Sequence, residues 1–189
     1  MIGVLALQGN YQMHRVMLDS IGQENILVRS SEDLDCCNGL IIPGGESTVI
    51  SKLLIRYGLL DSIKNFAKVN GVFGTCAGLI LMTNYSSEDI IGLDILNIDV
   101  SRNAWGRQIY SFTDSLNIDI PDKIKDFKAT FIRAPKISSV GDSVKTLSYF
   151  NKEPVMVKQD LHLATTFHPE MHADSSIHKY FIDIINASR

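Results

Sequence analysis

The sequence predicts an α/β fold: a doubly wound three-layer sandwich with a mostly parallel central sheet and an antiparallel extension. Three observations predict it. Continuous apolar runs such as "IGVLAL" (2–7) are typical of strands buried on both faces of a parallel sheet. Helical patterns lie between several of these runs, as right-handed crossover connections require. In the second half of the chain, shorter runs alternate apolar and polar residues, which favours antiparallel strands with one exposed face.

The first half of the chain is expected to contain four strands joined by helices and turns. The four strands are "IGVLAL" (2–7), "NILVR" (25–29), "GLIIP" (39–43) and "GVFGT" (71–75). A first helix is predicted from the helical spacing of Met13, Val16, Met17 and Ile21, and Gly22 would end it.

Two more helices follow strands directly. One begins after the turn "PGGES" (43–47), and its predicted apolar positions are Val49, Leu53, Leu54 and Ile55. The other, "AGLILM" (77–82), starts immediately after the fourth strand.

The second half is expected to supply the antiparallel extension and a closing helix. The predicted strands are "LNIDV" (96–100), "RQIYSF" (107–112), "LNIDI" (116–120), "ATFIRA" (129–134), "VMVKQ" (155–159) and "LHLATTF" (161–167). The closing helix has one apolar face, formed by Ile177, Phe181, Ile184 and Ile185, and Asp174 or Ser175 would cap it.

Composition narrows the class of protein. The 189 residues predict one domain, residues 1–189, with a core large enough for a stable fold. The balance of 18 basic against 21 acidic residues gives a net charge of −3, which argues against a nucleic-acid partner. No apolar stretch approaches the roughly 20 residues of a membrane span. The start lacks a basic leader, so a cytoplasmic location is expected.

The three cysteines do not form a metal-binding or disulfide pattern. Cys36 and Cys37 are adjacent and read as packing residues, and no C-x-x-C spacing or Cys/His ligand set is present. We therefore expect reduced thiols and no bound metal.

Cys76 is the candidate nucleophile. It lies in "GTCAG" (74–78), where a strand turns into a helix, and the flanking glycines permit the unusual backbone angles of such a corner. The start of a helix also favours a thiolate. The alternative is a small, inert residue buried in a tight turn.

His168 and Glu170 are the candidate base and its orienting carboxylate. His168 follows the strand "LHLATTF", at the edge where open α/β sheets build their sites, and Glu170 is two residues further on. The carboxylate could bind one ring nitrogen while the other faces the thiol. The alternative is that "HPE" forms only a polar turn before the last helix.

Acyl transfer from a thiol also needs donors for the developing oxyanion. The glycines of "PGGES" allow a backbone N–H to approach a ligand, and Gly45 and Ala77 are the candidate donors. The segment could equally be a simple turn, or a phosphate cradle, although the P-loop lysine pattern is absent.

The segments "PGGES", "GTCAGLI" and "FHPE", in this order and separation, resemble the class I (triad-type) glutamine amidotransferases. Three further segments extend the resemblance over nearly the whole chain: "IGVLALQG", "SRNAWGRQ" and "FIRAP". They are similar to the glutaminase subunits of pyridoxal 5′-phosphate synthases.

This resemblance implies a function and a set of roles. Cys76 would attack the side-chain amide of L-glutamine, with His168 as base and then acid and Glu170 orienting it, through a γ-glutamyl thioester. The implied substrate contacts are Gly45, Glu46, Ser47, Arg102, Ile132 and Arg133. Ammonia would pass to a separate synthase subunit that makes pyridoxal 5′-phosphate, and the glutaminase would be quiet until it docks. The chain itself would need no cofactor.

Two other functions remain open at the level of sequence. A stand-alone cysteine hydrolase, such as a γ-glutamyl hydrolase, could use the same three residues. A catalytically silent binding subunit could keep the fold without the reaction. Ammonia release from glutamine, with and without a synthase, separates these functions.

Overall fold

The computed structural model describes residues 1–102 and 111–188, and their core is a seven-stranded sheet. The strands of the described residues, in chain order, are β1 (Ile2–Leu5), β2 (Asn25–Val28), β3 (Gly39–Ile42), β4 (Gly71–Thr75), β5 (Ser86–Ser87), β6 (Ile90–Ile91), β7 (Ile98–Ser101), β8 (Ser111–Ile118), β9 (Ile124–Ile132), β10 (Lys136–Val140), β11 (Lys145–Phe150), β12 (Glu153–Gln159) and β13 (His162–Thr165). The helices are α1 (Tyr11–Ser20), α2 (Ser47–Arg56), α3 (Leu59–Ala67), α4 (Ala77–Met82) and α5 (Ser176–Asn186).

The central sheet has the order β11-β12-β13-β4-β3-β1-β2. The five strands from β13 to β2 are parallel, and β12 and β11 add to one edge in antiparallel pairing. The predicted fold class is therefore confirmed, including the antiparallel extension. Separate two-stranded pairs, β8 with β9 and β7 with β10, account for the other alternating segments.

Side chains that alternate along the buried strands fill two hydrophobic clusters. In β3, Leu40 and Ile42 belong to one cluster with Leu54 of α2, whereas Ile41 belongs to the other with Phe181 of α5. This alternation places helices against both faces of the sheet, which makes the three layers.

The predicted helix α1 is confirmed, but the apolar spacing that predicted it coincides only in part with its buried face. Met13 and Val16 are 40% and 57% exposed, whereas His14, Met17 and Leu18 are buried. His14 is hydrogen-bonded with His178 and Thr75 in the interior. A polar residue therefore occupies a buried position of α1 that apolar spacing does not predict.

The predictions for α2 and for the start of α5 can also be compared with the structure. Of the apolar positions predicted for α2, Leu54 is buried, but Val49 and Ile55 are largely exposed. The N-cap residue of α5 is Ser175, one of the two predicted residues, and Oδ1 of the other, Asp174, accepts the backbone N–H of Ser176 at 2.9 Å. The predicted strand at 107–112 lies mostly outside the described residues.

In the described ranges, no helix has the length and apolarity that crossing a bilayer requires.

Candidate active site

The candidate site lies at the carboxyl ends of three neighbouring parallel strands, β3, β4 and β13. β4 is in the middle of the three and leads directly into Cys76. β3 leads into the turn that starts at Pro43, and β13 is followed by His168 after two residues. Parallel strands end at the same edge of a sheet, so segments far apart in sequence meet here.

Cys76 occupies a strained corner between β4 and α4. Its φ of 50° and ψ of −102° are unusual for a residue with a side chain, and its backbone N–H donates to Thr165 O at 2.8 Å. The following glycine makes the corner possible, because a Cβ on Gly78 would lie 2.0 Å from the carbonyl oxygen of Ile42. The Cys76 side chain is 7% exposed.

His168 connects the thiol to a buried carboxylate. One ring nitrogen, Nδ1, is 2.7 Å from Glu170 Oε1, and the imidazole lines the same cleft as the Cys76 side chain. The backbone N–H of His168 donates to Thr130 O at 2.8 Å, which fixes the start of this segment against β9. Thiol, imidazole and carboxylate therefore lie in series.

The pKa values in this series favour a protonated His168 and an ionised Glu170. Burial lowers the pKa of His168, but its interactions with the side chains of Cys76 and Glu170 raise it to about 10. For Glu170, burial raises the pKa, but the charges of His14 and His168 and the hydrogen bond with His168 lower it to about 2. The resting site is thus suited to hold a proton on the imidazole.

Two buried histidines extend the series beyond Glu170, and the sequence analysis missed both. His14 Nε2 is 3.5 Å from Glu170 Oε2 and 3.2 Å from Thr75 Oγ1, and His14 Nδ1 is 2.9 Å from His178 Nε2. His14 shares one helical face with the buried Met17 and Leu18, but a polar residue at this position gives no signal of burial in the sequence.

A cleft of about 360 Å³ opens beside Cys76. Every residue expected to contact substrate or the oxyanion lines it: Gly45, Glu46, Ser47, Ala77, Arg102, Ile132 and Arg133. Glu170 is buried behind His168 and does not line it. Gln8, Gly9 and Asn10 also line the cleft, and sequence reasoning gave them no role.

At the cleft, two of the expected substrate contacts pair with each other. Arg133 Nη2 is 3.2 Å from Glu46 Oε1, and both side chains are more than half exposed, so the pair contributes little to stability. Arg133 has a φ of 43°, and the preceding carbonyl, Ile132 O, is 3.7 Å from Cys76 Sγ. Both charged side chains line the cleft and are accessible to a ligand there.

The segment expected to supply an oxyanion donor is held from both sides. The N–H of Gly44 donates to Thr75 Oγ1 and its carbonyl accepts the N–H of Asn10, both at 3.0 Å. Gln8 Oε1 accepts the N–H of Glu46 at 2.9 Å. Ala77 starts α4, so its N–H has no acceptor within the helix and is available to a ligand.

The buried histidines make stability sensitive to acid. Burial lowers the pKa of His14, His162 and His178, the last to about 3, so these rings are neutral in the folded protein at pH 6.5. Unfolding lets them take up protons below about pH 6.5, so stability is present above that pH and is lost as the pH falls. The raised pKa of His168 has the opposite effect on stability. It contributes stability that is lost as the pH rises from about 6.5 towards 10.

We expect the free energy of unfolding to fall between pH 6.5 and pH 5, by about 1 to 2 kcal/mol through His178 and further through His14 and His162. Urea titrations at several pH values measure this dependence. His162→Asn keeps an acceptor for the Val72 N–H, which His162 Nδ1 binds at 3.2 Å, and removes one titrating ring. Its stability should therefore fall less steeply with pH. A flat profile in the parent protein would contradict the assignment of neutral buried rings.

The chain is similar to named proteins over almost its whole length. The model of the family described as "SNO glutamine amidotransferase family" matches residues 4–187. The chain is 46% identical to a protein of Exiguobacterium sibiricum named "Pyridoxal 5'-phosphate synthase subunit PdxT", over 97% of this chain and 95% of that protein. The protein of the same name from Francisella philomiragia is 43% identical, over 97% of this chain and 98% of that protein.

A solved structure has the same fold. It is described as "Crystal structure of glutamine amidotransferase", and it matches with a TM-score of 0.89 and 38% identity over 98% of both chains.

Proposed function

Since the chain belongs to the SNO glutamine amidotransferase family, we propose that it hydrolyses L-glutamine to L-glutamate and ammonia and delivers the ammonia to the synthase subunit of a pyridoxal 5′-phosphate (vitamin B6) synthase. The observation that carries this proposal is the series of Cys76, His168 and Glu170 at the base of a cleft. The proposed partner, a synthase subunit, is supported by relatives of this chain that are named as subunits of pyridoxal 5′-phosphate synthase.

The reaction follows from the positions of these groups. The sulfur of Cys76 attacks the side-chain carbonyl carbon of glutamine, and the proton of the thiol resides on His168. His168 gives this proton to the departing nitrogen, so the C–N bond breaks, ammonia leaves and a γ-glutamyl thioester remains. Neutral His168 then takes a proton from water, which attacks the thioester and releases glutamate. Glu170 keeps the ring oriented and stabilises its positive charge in both steps.

The developing oxyanion would be stabilised by the N–H groups of Gly45 and Ala77, each contributing about 3 kcal/mol to the lowering of the barrier. The α-carboxylate of glutamine suits the guanidinium of Arg102 or Arg133, and its α-ammonium suits Glu46. Ser47 and the backbone of Ile132 would complete the contacts. All of these residues line the same cleft.

The proposal extends to the organisation of the protein. We propose that residues 1–189 act as one amidotransferase domain that forms a hetero-oligomeric complex with the synthase. We also place the reaction in the cytoplasm, because its nucleophile is a thiol that must stay reduced.

The test is ammonia release from glutamine, measured for the chain alone and with its cognate synthase subunit. Strong release that depends on the synthase is the expected result. Equal release in both conditions would instead indicate a stand-alone cysteine hydrolase, and no release in either would indicate a catalytically silent subunit.

A further inference from the structure

A buried polar network lies behind Glu170, on the side away from the cleft. It joins Glu170 to His14 of α1, His178 of α5 and Thr75 at the end of β4. All four side chains are 1% exposed or less. Burying three ionisable groups together is costly unless each has a partner, so such a cluster calls for a functional explanation.

One carboxylate oxygen of Glu170 is satisfied and the other is not. Oε1 binds His168, whereas Oε2 has no hydrogen-bond partner among the described residues. The polar atom that faces Oε2 is His14 Nε2, at 3.5 Å. This nitrogen is shared with Thr75 Oγ1 at 3.2 Å, so a small rotation of the ring brings its N–H onto the carboxylate.

The pairing of the two histidines limits where the protons can lie. The contact between His14 Nδ1 and His178 Nε2, at 2.9 Å, holds one proton. If His178 donates this proton, His14 must carry its own proton on Nε2, which then points at Glu170. The other nitrogen of His178, Nδ1, has no partner in the described part of the chain. In this arrangement it carries no proton, so no N–H is left unpaired there. The reverse arrangement buries an unpaired N–H and turns a lone pair of His14 towards the carboxylate, and unpaired buried N–H groups are rare.

The surroundings keep both rings neutral. Burial lowers the pKa of His14, although the charge of Glu170 opposes this, and burial beside His14 lowers the pKa of His178 to about 3. The titratable groups that act on His14 are Glu170 and His168, and those that act on His178 are His14 and Glu170. Phe73 packs edge-on against both rings, at centroid distances of 6.2 and 5.8 Å.

We propose that His14 is a positioning residue for the glutaminase reaction, and that His178 sets its tautomer. Neutral His14 directs its Nε2–H at the free oxygen of Glu170, so the carboxylate keeps its other oxygen on His168 during turnover. The same histidine contacts Thr75, which holds the N–H of Gly44 next to the expected oxyanion donor. His14 therefore contacts both Glu170, which orients the base, and Thr75, which holds the oxyanion segment. The kinetic part of this inference depends on the proposed function.

The first test compares three variants in the complex with the synthase. His14→Leu removes the donor at similar volume, and we expect kcat to fall about 10-fold with KM little changed, since misplacing a catalytic group costs rate. His14→Gln supplies an amide N–H that can reach Glu170 and should recover part of the loss. His162→Leu is the matched control, because His162 is also buried and hydrogen-bonded but lies outside the network. It should lower stability and leave kcat unchanged.

The second test does not need turnover. The proton between His168 Nδ1 and Glu170 Oε1 gives a low-field NMR signal, and a reoriented carboxylate changes its position. We expect the signal to move in His14→Leu and to stay in His162→Leu. An unchanged kcat, or a signal that stays in place in folded His14→Leu, would overturn the proposal.

His178→Leu keeps the test decisive if His14→Leu does not fold. Without His178, the tautomer of His14 is no longer fixed, so the His168 signal should broaden or move; an unchanged signal would overturn the proposal. Absence of ammonia release in the parent complex would overturn the proposed function alone, because the NMR comparison would still report on His14.

Discussion

Cys76→Ala is expected to lower ammonia release from glutamine by a factor of at least about 10⁴. The thioester cannot form without the sulfur, and no other side chain in the site replaces it. Alanine accepts the same corner with a φ of 50° as well as cysteine does, so the fold should persist. Glutamine binding and docking to the synthase should persist too, because the residues expected to bind substrate are untouched. Single-turnover kinetics and calorimetric titration with glutamine measure the two effects separately.

Cys36→Ser is the control for this substitution. Cys36 is an exposed, free cysteine outside the cleft, so its replacement should leave turnover at the parent level. Activity that survives in Cys76→Ala, or is lost in Cys36→Ser, would show that the wrong thiol has been identified.

The sequence predicted the parts of the fold that depend on local pattern. β3, β4 and α4 begin and end close to the predicted residues, because fully apolar strands and a glycine-flanked corner leave few alternatives. The three catalytic candidates converge because they follow adjacent parallel strands, and strand order is a property of the whole sheet that local pattern does not contain.

The burial of the histidines behind Glu170 could not be predicted from local sequence patterns. Apolar periodicity gives no weight to a polar residue such as His14, and the spacing that predicted α1 included Met13 and Val16, which are exposed. The burial of His14 depends on partners 61, 156 and 164 positions away in the chain, namely Thr75, Glu170 and His178. Only the tertiary structure supplies such partners, so spacing alone could not have found the network.

Gly44 is the second position where a single substitution should have a large effect. A Cβ at this residue would lie 2.3 Å from His168 Cε1 and 3.0 Å from Nδ1, so the imidazole packs directly on the glycine. The ring has little freedom to retreat, because Glu170 holds its Nδ1 and Thr130 holds the backbone N–H of the same residue. The methyl group of alanine must therefore displace either the ring or the oxyanion segment.

We expect Gly44→Ala to lower kcat by at least about 100-fold, because a displacement near 1 Å in a catalytic group has a cost of this size. The backbone of Gly44 is outside the left-handed region, so alanine adds no φ strain there, but its contact with the buried imidazole should also lower the thermal unfolding temperature. Gly22→Ala is the opposite case: Gly22 has a φ of +68° and nothing within 4 Å of a Cβ, so it should lose some stability and keep its kcat. Parent-level turnover in Gly44→Ala would mean that the position of His168 against this glycine does not limit the reaction.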